Sequence, residues 1–355
     1  MKKIIKFVVL FCLIIVFTLV GLYFYFIKSH GKNEKIVINI TEGETYSTIG
    51  DKLKDSGLIK SKLAYKIYIK LNKPKSLEHG DYILNKSNNL IEIIETMEKG
   101  SVNLQDTKTI TFVEGKNMRY FISKITSEFS ITEEEILNKL KDEEYLDTLI
   151  NKYWFLTDSI KNKDLYYSLE GYLYPDTYEF AKDASIEDIF KKMLDNMESK
   201  LEPYKEEVES NKYTIHQMIT LASIIELEAS SADDRKGVAG VFYNRLKDGW
   251  SLGSDVTTYY AERIDNWSRD LKMSELKSCN SYNTRSSCMN GKLPVGPICN
   301  PGIKSIEAAI EPTEHNYYYF VADKYGKTYF SKTDGEHTST VSRLKREGLW
   351  INYES

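Results

Sequence analysis

The first 35 residues constrain what the rest of the chain can become. Lys2, Lys3 and Lys6 precede an uncharged run from Phe7 to Ile27. At about 1.5 Å per residue, a helix of that length crosses the roughly 30 Å hydrocarbon core of a bilayer. The run is longer than the core of a secretory signal. Gly21-Leu-Tyr-Phe24 continues it with no small-residue cleavage site. The expectation is a cytoplasmic tail at 1–6, a single N-terminal transmembrane helix at 7–27 and a polar linker at 28–35, with a cleaved signal peptide as the alternative. The basic tail favours a cytoplasmic N-terminus and an extracytoplasmic body, at the cell membrane; Lys28 and Lys32 just past the run pull the other way.

Charge argues against a nucleic-acid partner. Of 48 Lys and Arg residues, five lie within the first 32 positions, which leaves 43 against 52 Asp and Glu. That balance has the wrong sign for a phosphate-binding surface. Cys12 falls in the apolar run, and Cys279, Cys288 and Cys299 cluster in the body. Three cysteines permit one disulfide in any of three pairings. They lack the two-residue spacing of a zinc site, so no metal is expected. No His-Glu-x-x-His, Walker loop or Gly-x-Ser-x-Gly occurs, which removes metalloprotease, nucleotide-binding and hydrolase-elbow readings.

Past the linker, Ile36-Val-Ile-Asn-Ile40 reads as a strand. Thr41-Glu-Gly43 follows as a turn, and Ile49 and Leu53 fall at helical spacing. The pattern returns at Thr109-Ile-Thr-Phe112, Val113-Glu-Gly115, Phe121 and Ile125. Glycine suits such a turn because it tolerates positive φ. These strand-turn-helix units resemble LysM-like modules, which bind glycans containing N-acetylglucosamine. A LysM-like glycan-binding module is therefore expected at 36–105, and a catalytic domain at 106–355 whose 106–165 portion carries the second copy. Between the copies, Gly80 to Leu84 reads as a strand and Leu90 to Met97 as a helix stopped at Gly100. Further on, the chain is expected to be acidic and helical over 131–150, with helices over 186–200, 213–230 and 233–247. The stretch 250–302, rich in Gly, Ser, Asn and Pro, reads as mostly loop. Strands are expected at 317–322 and 328–330. Strands and helices are segregated, so the fold class is α+β.

The helix around Ile215 to Ala229 carries the chemistry. Ile215, Met218, Ile219, Ala222, Ile225 and Ala229 fall on one apolar stripe at the helical period. Glu226 lies near the centre of that stripe and Glu228 far from it, toward solvent. A carboxyl held among apolar side chains keeps its proton more readily, the state a general acid needs. The competing reading pairs Glu226 with Arg235 or Arg245 on the next helix. Downstream loops supply hydroxyls, amides and aromatic faces, the groups that bind sugars: Leu252 to Tyr260, Ser281 to Thr284, Leu293 to Ile298 and Asn300 to Gly302.

These elements together resemble the MltG (YceG-like) family of endolytic murein transglycosylases. The resemblance rests on Ala222-Ser-Ile-Ile-Glu-Leu-Glu228, Val241-Phe-Tyr-Asn-Arg245, Ser254-Asp255, Tyr282-Asn-Thr284, Leu293-Pro-Val-Gly-Pro297 and Asn300-Pro-Gly302. Leu169-Glu-Gly171, Pro175-Asp-Thr-Tyr178 and Tyr319-Phe-Val-Ala322 extend it. It covers nearly the whole chain. Thr284-Arg285 and Val295 depart from the family pattern, at positions of substrate contact. The resemblance implies that Glu226 is the catalytic acid/base. Expected substrate contacts are Ser254, Asp255, Tyr282, Asn283 and Glu170. It also implies a lytic transglycosylase without cofactor. Such an enzyme cuts peptidoglycan between MurNAc and GlcNAc, leaves 1,6-anhydro ends, and terminates strands beside peptidoglycan synthases. A lone carboxylate suffices because the substrate's own 6-hydroxyl attacks. A non-catalytic glycan-binding scaffold and a lysozyme-type muramidase are the alternatives.

Overall fold

The structure, a computed structural model, describes residues 11, 17–18, 20–28, 31–75, 77–101, 107–229, 231, 234–265, 267 and 269–350. Residues 7–10, 12–16 and 19 of the expected anchor lie outside this set. Among the described residues no helix is long and apolar enough to cross a membrane. The chain divides into two compact units, Met1–Thr107 and Lys108–Ser355.

The first unit pairs β1 (Lys35–Ile40) with β2 (Gly80–Asn85) in antiparallel register, from Lys35 opposite Asn85 to Ile40 opposite Gly80. Strand alternation turns Ile38 and Ile40, with Tyr82 and Leu84, to one face. Three helices cover that face: α1 (Gly50–Asp55), α2 (Lys62–Asn72) and α3 (Leu90–Glu98). They contribute Leu53, Tyr65, Ile93, Ile94 and Met97 to the core, with Ile49 just before α1. Asn89 and Glu92 form a reciprocal capping box that fixes where α3 begins. The Thr41-Glu-Gly43 turn takes the positive φ expected of it, +87° at Gly43.

The second unit opens with β3 (Thr107–Thr111) and α4 (Met118–Glu128), joined by a turn in which Gly115 has φ +74°. The partner of β3 is β4 (Thr177–Ala181), far along the chain. The helical stretch expected over 131–150 is present as two helices, α5 (Glu133–Lys139) and α6 (Glu143–Lys152). The break has a local cause, because the Asp142 side chain accepts the Tyr145 N–H and starts a new helix. Next come α7 (Ile186–Leu201), α8 (Lys205–Ser210), α9 (Ile215–Glu228) and α10 (Arg235–Lys247). The 250–302 stretch holds more order than its composition suggests, namely α11 (Asp255–Ala261) and α12 (Met273–Lys277). The unit closes with α13 (Ile303–Ile310), the antiparallel pair β5 (Tyr319–Ala322) and β6 (Thr328–Ser331), and α14 (Asp334–Arg346).

Helix α9 is the axis of this unit. Every residue from Ile215 to Ile225 except Gln217 is buried, polar ones included. Thr220 and Ser223 satisfy their hydroxyls by donating to backbone carbonyls one turn back, His216 O at 2.7 Å and Thr220 O at 2.7 Å. A helix buried all round is a core helix, not an amphipathic one. It leaves the core only in its last turn, and Glu226 stands there.

Candidate active site

The chain just before α4 carries a turn, Val113 to Lys116, that is pinned to the 300 loop. Gly115 N donates to Asn300 O at 3.0 Å, and Asn300 N donates to Lys116 O at 2.9 Å. Beside this turn lies a cleft of 640 Å³. Its floor is the end of α9, with Glu226 and Leu227. One wall is the start of α4, with Asn117, Arg119 and Tyr120. The other is α11 and the segment after it, with Tyr260, Asp265 and Trp267.

Glu226 is held from three sides. Ser305 Oγ donates to its Oε2 at 2.6 Å, and Gly302 N donates to the same oxygen at 3.1 Å. The Arg235 guanidinium donates to Oε1 at 3.2 Å. Glu226 therefore lies on the floor of the cleft and is also paired with Arg235. The apolar surroundings expected from the helical wheel are replaced by a fixed set of donors. Arg245 is elsewhere, donating to Tyr318 O at 2.8 Å and Leu252 O at 2.5 Å.

A second carboxylate shares the cleft. Glu114, which the sequence marked only as part of a turn, lies so close to Gly302 that a Cβ there would run into its carboxyl. Burial, and then the neighbouring Glu226 charge, push the Glu114 carboxyl above its ordinary range. Across the cleft Arg119 grips Asp265, with Nη2–Oδ1 at 2.6 Å and Nε–Oδ2 at 2.8 Å, and Asn117 adds a bond of 2.6 Å. That pairing holds Asp265 below the usual carboxylate range. The guanidinium also lies 5.1 Å from the Tyr260 ring centre. Aromatic faces beside amides and paired charges suit a sugar chain, with its apolar C–H faces and its hydroxyls.

Four of the five expected substrate contacts, Ser254, Tyr282, Asn283 and Glu170, are buried behind the cleft wall around α11, and the fifth, Asp255, is exposed at the start of that helix. Ser254 is buried and donates to Glu228 Oε1 at 2.6 Å. Glu228 is thus half-buried, not in solvent, and burial pushes its carboxyl up. The wheel misplaced it because the loop carrying Ser254 covers that side of the helix. Asp255, exposed, pairs with Arg285 at 2.6 Å. Asn283 is buried; its Oδ1 accepts from Thr258 at 2.6 Å, and its amide donates to Ser278 O at 2.7 Å. Tyr282 is buried against Tyr260, ring centres 4.9 Å apart, and its hydroxyl accepts from Tyr166 N at 3.1 Å. Glu170 is 1% exposed and accepts from Met118 N and Tyr260 Oη, each at 2.9 Å. Glu170 and Tyr282 position Tyr260, which does face the cleft. Of the cysteines, Cys279 and Cys288 are joined, and Cys299 is free and buried.

Glu170 has a measurable signature. Burial pushes its carboxyl up to about 7, outweighing the hydrogen bonds it accepts. An acid whose folded value exceeds its unfolded one makes the fold most stable below the unfolded value, and that stability falls as pH rises through the folded one. Between about pH 4.5 and 7 this group should cost about 3 kcal/mol. Glu170→Gln should flatten that part of the profile, read from melting temperatures at pH 5 and pH 8. An unchanged slope would remove Glu170 as its source.

The cleft, its acid and the motif loops set the context for comparison. The model of the YceG-like family matches residues 38–343. A Bacillus subtilis (strain 168) protein called an endolytic murein transglycosylase is 35% identical over 308 residues, 86% of this chain and 84% of that one. A Streptococcus pneumoniae (serotype 2, strain D39) protein of the same name is 31% identical over 318 residues, and this chain spans 58% of its length. The 2.6 Å crystal structure of a yceG-like protein from Listeria monocytogenes superposes with a TM-score of 0.60 at 33% identity, covering 87% of this chain and all of that one. On the match across residues 38–343 and the identity over most of its length, the chain belongs to the YceG-like family.

Proposed function

We propose that this protein is an endolytic lytic transglycosylase of peptidoglycan. It cuts the bond between MurNAc and GlcNAc in nascent glycan strands, leaves 1,6-anhydroMurNAc ends, and so terminates elongation. The observation that carries this reading is Glu226, fixed by three donors on the floor of a polar, aromatic cleft. The relatives named endolytic murein transglycosylase support it.

In the proposed cycle Glu226 gives its proton to the glycosidic oxygen as the bond from the muramic anomeric carbon to that oxygen breaks. The 6-hydroxyl oxygen of the same sugar then bonds to the anomeric carbon, and the Glu226 carboxylate takes the hydroxyl's proton. Protons balance, no water is consumed, and no metal or cofactor enters. Ser305, Gly302 and Arg235 keep the carboxylate in one orientation through both steps, so little reorganisation is needed.

One observation favours a second reading. Glu114 beside Glu226 supplies a second carboxylate, and a lysozyme-type muramidase uses two. Product chemistry on purified glycan strands separates the readings. Anhydro ends are expected; reducing ends would establish hydrolysis, and no cleavage would leave a glycan-binding scaffold.

The run 7–27 and the basic tail before it support a single-pass anchor with the N-terminus in the cytoplasm and the body outside, near peptidoglycan synthases. The first unit, with its strand, Glu-Gly turn and helices, is read as a LysM-like module that positions glycan. Deleting residues 36–100 should lower activity on long strands more than on short soluble fragments. Equal loss on both would assign that unit to folding instead.

A further inference from the structure

Helix α2 carries an apolar stripe that faces away from its own core. Leu63, Ile67 and Leu71 stand 70%, 40% and 69% exposed. Spaced four apart, they line one side of the helix. The opposite side packs Ala64 and Tyr65 into the unit. Lys66 and Lys70 are exposed next to the stripe, and Lys73 continues them past the helix end. The Lys62 ammonium beside them pairs with Asp51. Local sequence thus sets a ridge of large aliphatic side chains against a row of cations.

The place of this ridge gives it meaning. Tyr23 and Ile27, at the end of the apolar run, pack on the same core as Tyr68 and Ile69 of α2. The Lys60 ammonium, two residues before α2, lies 4.7 Å from the Tyr25 ring centre. Helix α2 and the residue pair just before it therefore share a core with the end of the apolar run.

We propose that the exposed face of α2 docks on an anionic lipid surface. Leu63, Ile67 and Leu71 enter the boundary between headgroups and acyl chains, and Lys66, Lys70 and Lys73 sit on lipid phosphates. Large aliphatic side chains flanked by lysines are the pattern of a helix lying in the interface. Each lysine near such a surface adds roughly fivefold to binding. The proposal rests on the anchoring of 7–27, which brings α2 within reach of a bilayer. Docking would hold the first unit at a fixed height above the membrane.

The test uses the full chain on a Cys12→Ser background, with Leu71→Cys carrying an environment-sensitive fluorophore. It is reconstituted in vesicles of phosphatidylcholine alone, or with about one third phosphatidylglycerol. In the anionic vesicles the label should shift to the blue and be quenched by a lipid-borne quencher. Molar salt should weaken both effects. Lys66→Glu, Lys70→Glu and Lys73→Glu together should abolish them, while Leu63→Ser should reduce them. A label that stays in water in both vesicles overturns the docking face. Equal burial in both overturns the anionic preference. Alkaline carbonate extraction checks the anchor separately. If carbonate releases the chain, the anchor fails, and the same label is then read with vesicles added from outside. No shift there overturns the face as well.

Discussion

Glu226→Gln should fold, melt below the parent protein because Arg235 loses its partner, and release no anhydro-ended fragments. Glutamine keeps the size of the side chain. Its carbonyl can still accept from Ser305 and Gly302, the two donors now on Oε2. What it lacks is a proton to give and a base to take one back. General acid–base help is worth about 10²–10⁴-fold, and a sugar alkoxide is a poor leaving group without it. The rival account makes Glu226 the partner of Arg235 and no more. Removing one member of a buried pair costs about 3–5 kcal/mol, because the other charge is left unmatched. That loss of stability is common to both accounts; on the rival account alone, activity per folded molecule survives. Product analysis normalised to folded protein, with a melting curve to fix the folded fraction, therefore decides between them. A stable Glu226→Gln protein that still makes anhydro ends at near-normal rate would falsify the assignment.

That Glu226 is set apart on its helix was legible, but for a reason only partly right. The wheel around Ile215 to Ala229 set Glu226 on an apolar stripe. In the structure the stripe has no edge, because nearly all of Ile215 to Ile225 is buried. Glu226 stands out because the helix leaves the core there, and periodicity does not carry that information. Strands and their Glu-Gly turns were readable from local spacing. Helix α11 was not: Asp255-Val-Thr-Thr-Tyr-Tyr-Ala261 is rich in β-branched and aromatic residues with weak helix propensity. It forms because Tyr282, Asn283 and Thr284 clamp it from a distant loop. Helix α14 escaped notice for the opposite reason, since Leu344 is its one buried residue and little apolar pattern marks it.

The cleft walls were the least legible part. Arg119 and Asp265 are 146 positions apart, and nothing local to either predicts their pairing. Glu114 and Gly302 meet across a still wider gap. Hydroxyl, amide and aromatic residues in the 250–302 loops were expected to touch sugar. Most are committed to the protein, because a loop of that length must satisfy its own backbone before it can present anything to a ligand. The side chains that face the cleft come from the turn before α4, the start of α4, the end of α9, and α11 with the segment after it.

Asn300→Ala should be the most destabilising single change at the site. Asn300 is fully buried and ties three segments together. Its Oδ1 accepts from Gly171 N at 2.9 Å and from Leu173 N at 3.2 Å. Its Nδ2 donates to Lys116 O and to Glu170 Oε1, both at 3.2 Å. Alanine leaves those groups buried without partners, and each such group costs about 1–3 kcal/mol. Backbone relaxation and water recover part of this, so a net loss of about 3–5 kcal/mol is expected. For a unit of this size that lowers the melting temperature by roughly 10 °C. Activity should fall as well, because Asn300 fixes the turn that carries Glu114 and lies two residues before the Gly302 N–H on Glu226. Asn300→Asp separates hydrogen bonding from shape. It keeps the acceptor for Gly171 and Leu173 but sets an oxygen against Glu170 Oε1 and Lys116 O. It should therefore destabilise more at pH 8 than at pH 5, where Glu170 keeps its proton. An Asn300→Ala protein melting within 2 °C of the parent, or an Asn300→Asp protein with no added pH dependence, would show that the three segments hold together without this side chain.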